Sequence, residues 1–129
     1  MQQYPPQDAL TAATAAAADR FNDAFSRQDV DAVMAMMTAD CLFESTYPPP
    51  DGERCVGSEA VRGFWERFFR SSPDAVFEAE EAFAAGDRCL VRWLYRYTSA
   101  DGQKGHIRGV DLFRVRDGKV AEKLSYVKG

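Results

Sequence analysis

The sequence predicts an α+β fold in which helices pack on one face of an antiparallel sheet. Apolar residues recur at helical spacing up to about residue 70, and from there they alternate with a period of two. Asp-Gly pairs at 101–102 and 117–118 separate the later apolar runs and are typical of hairpin turns. The resulting order is helix, helix, strand, helix and then four strands, which is characteristic of this fold class.

Three helices are predicted in the first part of the chain. The first carries an apolar stripe that includes Phe21 and Phe25, and a second, short helix ends at Ala39–Asp40. Polar side chains that can accept backbone N–H bonds stand at the start of each helix. The helices are predicted over residues 8–27, 29–39 and 58–69, with Asp8, Asp29 and Ser58 as their N-caps.

Five strands are predicted around these helices. Pro48–Gly52 cannot continue a strand and forms a stiff loop, either a lid or a simple linker. Residues 1–7 are predicted to be a flexible tail, and residues 8–129 a single domain. The predicted strands span residues 41–47, 75–84, 88–98, 105–116 and 119–127.

Composition places the chain among soluble globular proteins. Of its 129 residues, 46% are apolar and 28% are charged. The net charge of -4 leaves no basic excess to attract phosphate backbones, so nucleic-acid binding is not expected. The alanine-rich stretch 12–18 is too short for a membrane span and lacks the basic start of a signal peptide.

Cysteine and histidine usage argues against a disulfide framework or a metal site. Cys41, Cys55 and Cys89 are odd in number and widely spaced, and no CxxC pair is present. His106 is the only histidine and cannot form a metal site alone. We therefore expect no metal and no cofactor, and a reducing compartment, the cytoplasm.

Asp111 is the residue on which a functional interpretation depends. It interrupts an apolar strand pattern shortly before the hairpin turn at 117–118. Burying an unpaired carboxylate costs several kcal/mol, roughly, so this side chain must reach water, find a partner or be held for chemistry.

Four segments give the chain a family resemblance that covers almost all of it from Asp8. They follow one another in the expected order, and together they are much more specific than any one alone. The chain resembles the SnoaL-like branch of the nuclear transport factor 2-like superfamily. The segments are Phe21–Asp31, Met36–Glu44, Gly57–Arg62 and Gly109–Lys119.

The resemblance implies a curved sheet wrapped around helices into a cone (nuclear transport factor 2-like, or cystatin-like), with a cavity at one end. Many members dimerise through the outer sheet face. The branch includes polyketide cyclases, ketosteroid isomerase, limonene epoxide hydrolase, scytalone dehydratase and members without known activity, so the fold does not define the reaction.

Comparison with ketosteroid isomerase, a worked case of tuned carboxyl groups, narrows the chemistry. The family pattern of a helix Tyr, a strand Asp base and a late-strand protonated Asp matches Phe21, Ser45 and Asp111 here. Only the last position keeps its functional group. The resemblance therefore disfavours steroid-type isomerisation by that mechanism.

Hairpin register decides which side chains meet Asp111. A symmetric two-residue turn at Asp101–Gly102 places Arg92 opposite Asp111, and a three-residue turn ending at Gly118 places Lys123 on its other side. The pKa of the carboxyl group would then be lowered by two cations. This predicted inner row is shared with Leu94, Phe113 and Ser125.

A one-residue shift of either turn gives a different site. Val91, Trp93 and Tyr95 would then face the cavity, and Asp111 would lie among aromatic rings as a neutral donor with a raised pKa. Both arrangements remain open from the sequence.

In the first register, the opposite face of the sheet is too apolar for a monomer surface. It is predicted to be a homodimer interface, in which Arg108, Arg114 and Glu122 pair across a two-fold axis. The apolar residues assigned to this face are Trp93, Tyr95, Tyr97, Val110, Leu112, Leu124 and Tyr126.

The aromatic residues allow two interpretations, a pocket for an apolar, ring-shaped ligand or a filled core. As ligand-binding candidates we name Phe21, Phe25, Phe43, Trp65, Phe69 and Phe113.

The leading hypothesis is a small-molecule pocket protein that acts as an acid/base isomerase, cyclase or hydrolase. Asp111 would be the catalytic group, Arg92 and Lys123 would tune it, and Ser45 and Tyr47 would orient the substrate. The alternatives are a structural ion-pair network around Asp111 and a non-catalytic binding or dimerisation module.

Overall fold

The computed structural model describes residues 2–3 and 8–129. Within them, three helices and seven strands alternate in the predicted α+β order. In chain order they are β1 (Gln2–Gln3), α1 (Ala9–Ser26), α2 (Val30–Ala35), β2 (Met37–Glu44), β3 (Arg54–Val56), α3 (Ser58–Ser71), β4 (Val76–Ala85), β5 (Arg88–Thr98), β6 (Lys104–Arg116) and β7 (Lys119–Val127).

All seven strands belong to one curved sheet, in the order β1-β4-β5-β6-β7-β2-β3. Neighbouring strands from β4 to β7 pair antiparallel. β2 joins parallel to β7, which brings the first half of the chain against its last strand. The predicted fold class, helices on one face of a curved sheet, is confirmed.

Local chemistry explains where α1 and α2 begin. The Asp8 carboxylate accepts the backbone N–H of Thr11 at 2.7 Å, and Asp29 caps α2 through Ala32 at 3.1 Å. On α1, Ala17, Phe21 and Phe25 recur at four-residue steps and are buried, as the periodicity predicts.

The end of α2, both ends of β2 and the N-cap of α3 differ from the prediction, which ended α2 at Ala39–Asp40. β2 begins at Met37 and ends at Glu44, because the chain enters the sheet as soon as α2 ends at Ala35. The N-cap of α3 is Gly57, with φ of 90°, and not Ser58. The short strands β1 and β3 were not predicted, since two or three residues carry no readable period.

The predicted flexible tail lies mostly outside the described residues. Gln2–Gln3 pair in parallel with β4 at Glu81 and Ala82. Met1 and residues 4–7 are not among the described residues, so the tail stays a prediction.

The β5–β6 hairpin differs from the predicted register by one residue. Ser99 pairs with Gln103 around the three residues 100–102, instead of a two-residue turn. Val91 therefore lies opposite Asp111, and Arg92 lies opposite Val110. Side chains alternate between the two faces of a strand. A shift of one residue therefore turns outward the β5 side chains that were predicted to face inward, and turns the others inward.

The register of the β6–β7 hairpin differs from the predicted one by two residues. A shift of two residues leaves the same β7 side chains on the inner face. Asp117 and Gly118 form the turn with φ of 53° and 76°, as an Asp-Gly hairpin requires. A register irregularity between Arg114 and Val115 then places Ser125 opposite Asp111. Lys123 stays on the predicted inner face, but opposite Phe113.

The predicted outer face must be corrected on β5. Trp93, Tyr95 and Tyr97 lie on the inner face, because they share the parity of Val91. The outer-face assignment of the remaining four residues agrees with the observed strand alternation; they are Val110, Leu112, Leu124 and Tyr126.

The charged residues predicted to pair across a two-fold axis have partners within the chain. Arg108 bonds Glu80 at 2.8 Å, and Arg114 bonds both Asp87 and Glu122. These intrachain pairs satisfy the three residues without a second copy.

Gly109 is required where β6 crosses Trp93. A Cβ atom at this position would lie 2.3 Å from the Tyr126 carbonyl oxygen and 2.6 Å from Trp93 Cζ2. We expect Gly109→Ala to lower the free energy of unfolding by about 2–3 kcal/mol through overpacking. Urea denaturation measures this.

Gly63→Ala is the matched control. A Cβ there meets only the Arg67 guanidinium at 3.5 Å. Because Gly is a weak helix former, this variant should gain about 0.5–1 kcal/mol. Equal stability of the two alanine variants would contradict the close approach at Gly109.

Candidate functional site

A cavity of about 90 Å³ lies between the inner face of the sheet and the helices α1 and α3. Most of its wall is aromatic, with a few polar groups from β6, β7 and the loop that follows β2. Its lining residues are Phe25, Phe43, Ser45, Thr46, Phe64, Trp65, Phe68, Phe77, Trp93, Tyr95, Ile107, Asp111, Lys123 and Ser125.

The Asp111 carboxylate belongs to this wall and is 1% exposed. Its Oδ1 accepts a hydrogen bond from Ser125 Oγ at 2.6 Å. Its Oδ2 has no hydrogen-bond partner among the described residues and lies 3.4 Å from Lys123 Nζ. One oxygen of the carboxylate therefore accepts a hydrogen bond, and the other is ion-paired with Lys123 but accepts none.

Lys123 closes a three-residue polar cluster. Its ammonium group donates to Ser125 Oγ at 3.0 Å, and Ser125 in turn donates to Asp111. We call these three residues the triad. Ser125 fixes both charged groups in one geometry, because its hydroxyl accepts from one and donates to the other.

Three aromatic rings surround the Lys123 ammonium. Nζ lies 5.3 Å from the ring centre of Phe25, 4.8 Å from Phe43 and 5.2 Å from Trp65. We call these three rings the aromatic cage. Their negative faces attract a cation, which offsets part of the cost of removing the ammonium from water.

Burial lowers the pKa of Lys123 below its ordinary value of 10.5. The negative charge of Asp111, 3.4 Å away, acts in the opposite direction and offsets part of the effect. The amine form of Lys123 is therefore more accessible than that of an exposed lysine.

The sequence places Ser45 at the site, but its hydroxyl holds the loop that follows β2. Ser45 Oγ donates to the Tyr47 carbonyl at 3.0 Å and accepts from the Glu53 backbone N–H at 2.8 Å. A Cβ on Gly52 would lie only 1.9 Å from the Ser45 carbonyl oxygen, so the loop closes tightly here. Ser45 lines the cavity with its donor already used.

Three predicted site residues point elsewhere. The Tyr47 side chain is 77% exposed and does not line the cavity. Arg92 lies on the outer face with its side chain exposed, and it forms an ion pair with Glu81 at 3.4 Å. Leu94 is buried on that same outer face, opposite Arg108. The β5–β6 register explains the errors at Arg92 and Leu94.

Three aromatic residues that were predicted to bind a ligand belong to the core and not to the cavity wall. Phe21 and Phe113 are fully buried, with ring centres 5.4 Å apart. Phe69 packs against Phe25 at 5.1 Å. Phe25, Phe43 and Trp65 do line the cavity, and Asp111, Lys123 and Ser125 join them.

Seven lining residues were not predicted as ligand-binding. The one-residue register alternative points to Trp93 and Tyr95, and the apolar stripe of α3 includes Phe64 and Phe68. No local signal marks the rest, since only tertiary packing brings β4, β6 and the end of β2 to one cavity. The seven are Thr46, Phe64, Phe68, Phe77, Trp93, Tyr95 and Ile107.

Among residues 8–129, no group of three or more His, Cys, Asp or Glu side chains is placed to hold a metal ion. Cys41, Cys55 and Cys89 are free and buried. Burial raises the pKa of the Cys89 thiol to about 11. No helix in the described part of the chain combines the length and apolarity that a bilayer crossing needs.

The model of the SnoaL-like domain family matches residues 18–123. The chain belongs to this family. The matched range runs from α1 to Lys123 and contains most of the cavity wall. No curated protein matches the sequence.

Solved structures of SnoaL-like and related folds resemble this SnoaL-like protein over most of its length. An NTF2-like protein of unknown function from Mesorhizobium loti is 40% identical over the full length of both chains, with a TM-score of 0.80. A putative SnoaL-like polyketide cyclase from Jannaschia sp. is 20% identical over 97% of this chain and 92% of its own, with a TM-score of 0.80.

A third structure contains a ligand. It is a hypothetical protein with a ketosteroid isomerase-like fold from Catenulispora acidiphila, in complex with trimethylamine. It is 16% identical over 85% of this chain and 83% of its own, with a TM-score of 0.76. At this identity the likeness shows the shared fold.

A double-mutant cycle measures the coupling within the triad. Asp111→Asn and Lys123→Met should each lower the free energy of unfolding by about 3–5 kcal/mol, because each leaves the opposite charge buried without its partner. In the double variant the loss of unfolding free energy should be about 1–3 kcal/mol smaller than the sum of the two single losses, because neither buried charge remains. Urea denaturation of the four proteins gives the coupling energy.

Arg92→Gln is the control for this cycle, because Arg92 is charged but lies on the outer face of the neighbouring strand. Its effect should stay within about 0.5 kcal/mol. Additive effects of Asp111→Asn and Lys123→Met would contradict a coupled pair.

The lowered pKa of Lys123 predicts a pH dependence of stability. Between its folded pKa and the ordinary 10.5, the unfolded chain binds more protons at this site than the folded chain. The free energy of unfolding, relative to the Asp111→Asn/Lys123→Met variant, should therefore rise with pH up to about 10.5. Urea denaturation at each pH measures this. A free energy of unfolding that falls over this range would mean that the charge of Asp111 raises the pKa of Lys123 by more than burial lowers it.

Proposed function

We propose that this SnoaL-like protein binds a small, largely apolar carbonyl compound in the cavity and transfers protons on it, with Asp111 as the acid/base group. The single observation that carries the proposal is Asp111 Oδ2. It is a buried carboxylate oxygen of a residue that lines the cavity. It lies 3.4 Å from Lys123 Nζ and accepts no hydrogen bond from the described residues. Buried polar groups are almost always paired, so an unpaired one at a cavity supports a role toward a ligand.

The triad suits proton transfer at a carbon next to a carbonyl group. Asp111 would accept the proton, and the Lys123 ammonium, 3.4 Å away, would stabilise negative charge that develops on the carbonyl oxygen. The largely aromatic wall lowers the polarity around the pair, which strengthens both effects. Isomerisation and cyclisation both begin with such a step.

The aromatic cage favours a neutral or electron-rich ligand over a cationic one. In this chain the cation position is already filled by Lys123. A ligand amine would compete with Lys123 for the same ring faces, whereas a carbonyl oxygen would complement it.

Cavity size limits the ligand further. About 90 Å³ is well below the ~300 Å³ at which drug-sized pockets begin. An apolar cavity of roughly 150 Å³ holds a benzene ring. We therefore propose a ligand with at most one small ring.

A non-catalytic binding module is the second candidate, and the cavity volume favours it. A cavity this small is also compatible with a triad that only stabilises the fold. The two candidates differ in one measurable property, Asp111-dependent exchange of protons on a bound carbonyl compound.

Isotope exchange tests the proposed activity. The protein should accelerate deuterium uptake next to the carbonyl of cyclopentanone in D₂O, followed by NMR. Asp111→Asn should reduce the enzymatic rate about 10²–10⁴-fold, because the general base is lost. Arg92→Gln should leave the rate unchanged.

A rate in the presence of wild-type protein that equals the buffer rate would refute catalysis on this probe. If cyclopentanone nevertheless raised the melting temperature, the binding-module candidate would be supported.

We also propose a homodimer through the outer sheet face and a cytoplasmic location. Tyr126 and Phe83 are 55% and 47% exposed on that face, next to the half-buried Leu112 and Leu124. Three free cysteines suit a reducing compartment.

Leu124→Glu tests the dimer. Introducing a charge at the centre of an apolar interface should convert a dimer into a monomer in analytical ultracentrifugation. Lys119→Glu, at an exposed position near the end of the same strand, is the control. A wild-type chain that sediments as a monomer at high concentration would refute the proposed interface.

A further inference from the structure

We propose that Lys123 Nζ is a nucleophile that forms an imine with a small aldehyde or ketone bound in the cavity. The inference takes its ligand class, a small carbonyl compound, from the proposed function. It assigns to Lys123 a covalent role in place of a purely electrostatic one.

Position is the first argument for this role. Lys123 is 5% exposed and lines the cavity, with its Nζ 3.4 Å from Oδ2 of Asp111. A ligand carbonyl that occupies the cavity would contact the Lys123 amine and the Asp111 carboxylate together. Lys104, Lys119 and Lys128 are all exposed to solvent.

Charge state is the second argument. An imine forms from the amine and not from the ammonium group, so burial that favours the amine promotes the reaction. Asp111 is the titratable group in contact with Lys123. Its oxygens lie close enough to receive protons from Nζ directly or through Ser125.

The proposed step balances without any further reactant. Asp111 takes one proton from the Lys123 ammonium, and the free amine attacks the carbonyl carbon. A C–N bond forms while the carbonyl π electrons move to oxygen, which receives the proton from Asp111.

A second proton then passes from Nζ through Asp111 to the same oxygen. The C–O bond breaks, water leaves, and the nitrogen lone pair completes the C=N bond. The ammonium group and the carbonyl compound have become an iminium ion and water, and the Asp111 carboxylate is regenerated.

The aromatic cage suits the product as well as the resting lysine. The iminium ion carries its positive charge at the same nitrogen, within 5.3 Å of all three ring centres. The Asp111 carboxylate remains its counter-ion. The rings and the carboxylate that stabilise the ammonium charge would therefore also stabilise the positive charge of the covalent adduct.

Reductive trapping tests the inference on the wild-type chain. The protein is incubated with propanal and sodium cyanoborohydride, and the propylated lysines are located by peptide mass spectrometry over time. We expect Lys123 to be labelled faster than every exposed lysine at neutral pH, because its lowered pKa raises the fraction of the reactive amine form. The rate advantage should shrink as the pH approaches 10.5.

The comparison is made within one molecule, so it does not depend on a variant that folds. Lys119→Arg should leave the labelling of Lys123 unchanged. Labelling of Lys123 no faster than that of Lys104 or Lys128 would overturn the inference.

The outcomes separate this inference from the proposed function. Asp111-dependent isotope exchange without labelling of Lys123 would retain proton transfer and reject the imine. Selective labelling of Lys123 without isotope exchange would retain the nucleophile and reject Asp111 as a base toward cyclopentanone.

Discussion

The structure depends on a carboxylate and an ammonium group that lie 3.4 Å apart inside an aromatic interior. Moving either charge out of water costs several kcal/mol, roughly, and the cost is tolerable only because the pair, Ser125 and the aromatic cage compensate one another. The partners come from neighbouring strands, β6 and β7, so the pair requires this strand register. In other proteins, replacing a buried ion pair by well-packed apolar residues is often neutral or stabilising. This is one reason for the ligand role that we propose for the triad.

The shape of the cavity is decided by the length of one hairpin loop. Three residues between Ser99 and Gln103, in place of two, put Trp93 and Tyr95 inside and Arg92 outside. The consequence is electrostatic as well as steric. Asp111 has one cationic neighbour on the inner face instead of two, and the remaining wall is mostly aromatic.

Membership in the SnoaL-like family explains the scaffold, while this chain's own residues explain its chemistry. Phe21, which takes the place of a tyrosine in the ketosteroid isomerase pattern, packs in the core against Phe113. Ser45, which takes the place of the base, anchors a loop. Polar chemistry at the cavity is therefore concentrated on β6 and β7, where Asp111, Lys123 and Ser125 form a local cluster.

The sequence by itself determined the elements and the identity of the central carboxylate. Apolar periodicity located α1, β5 and β7 to within a residue or two, since buried faces repeat with the geometry of each element. Asp111 was recognisable because a charge inside an apolar strand must have a physical reason. Lys123 and Ser125 also kept their predicted face, because an error of two residues preserves strand parity.

Only the tertiary structure decided what surrounds Asp111. The length of the β5–β6 loop decided which β5 side chains face the cavity. Local sequence preferences do not distinguish this three-residue loop from a two-residue turn. The aromatic cage combines α1, α3 and β2 with a lysine from β7, and no sequence spacing connects these distant elements. Whether a ring lines the cavity, as Phe25 does, or fills the core, as Phe21 does, depends on packing across the whole sheet, because both residues occupy the same apolar stripe of α1.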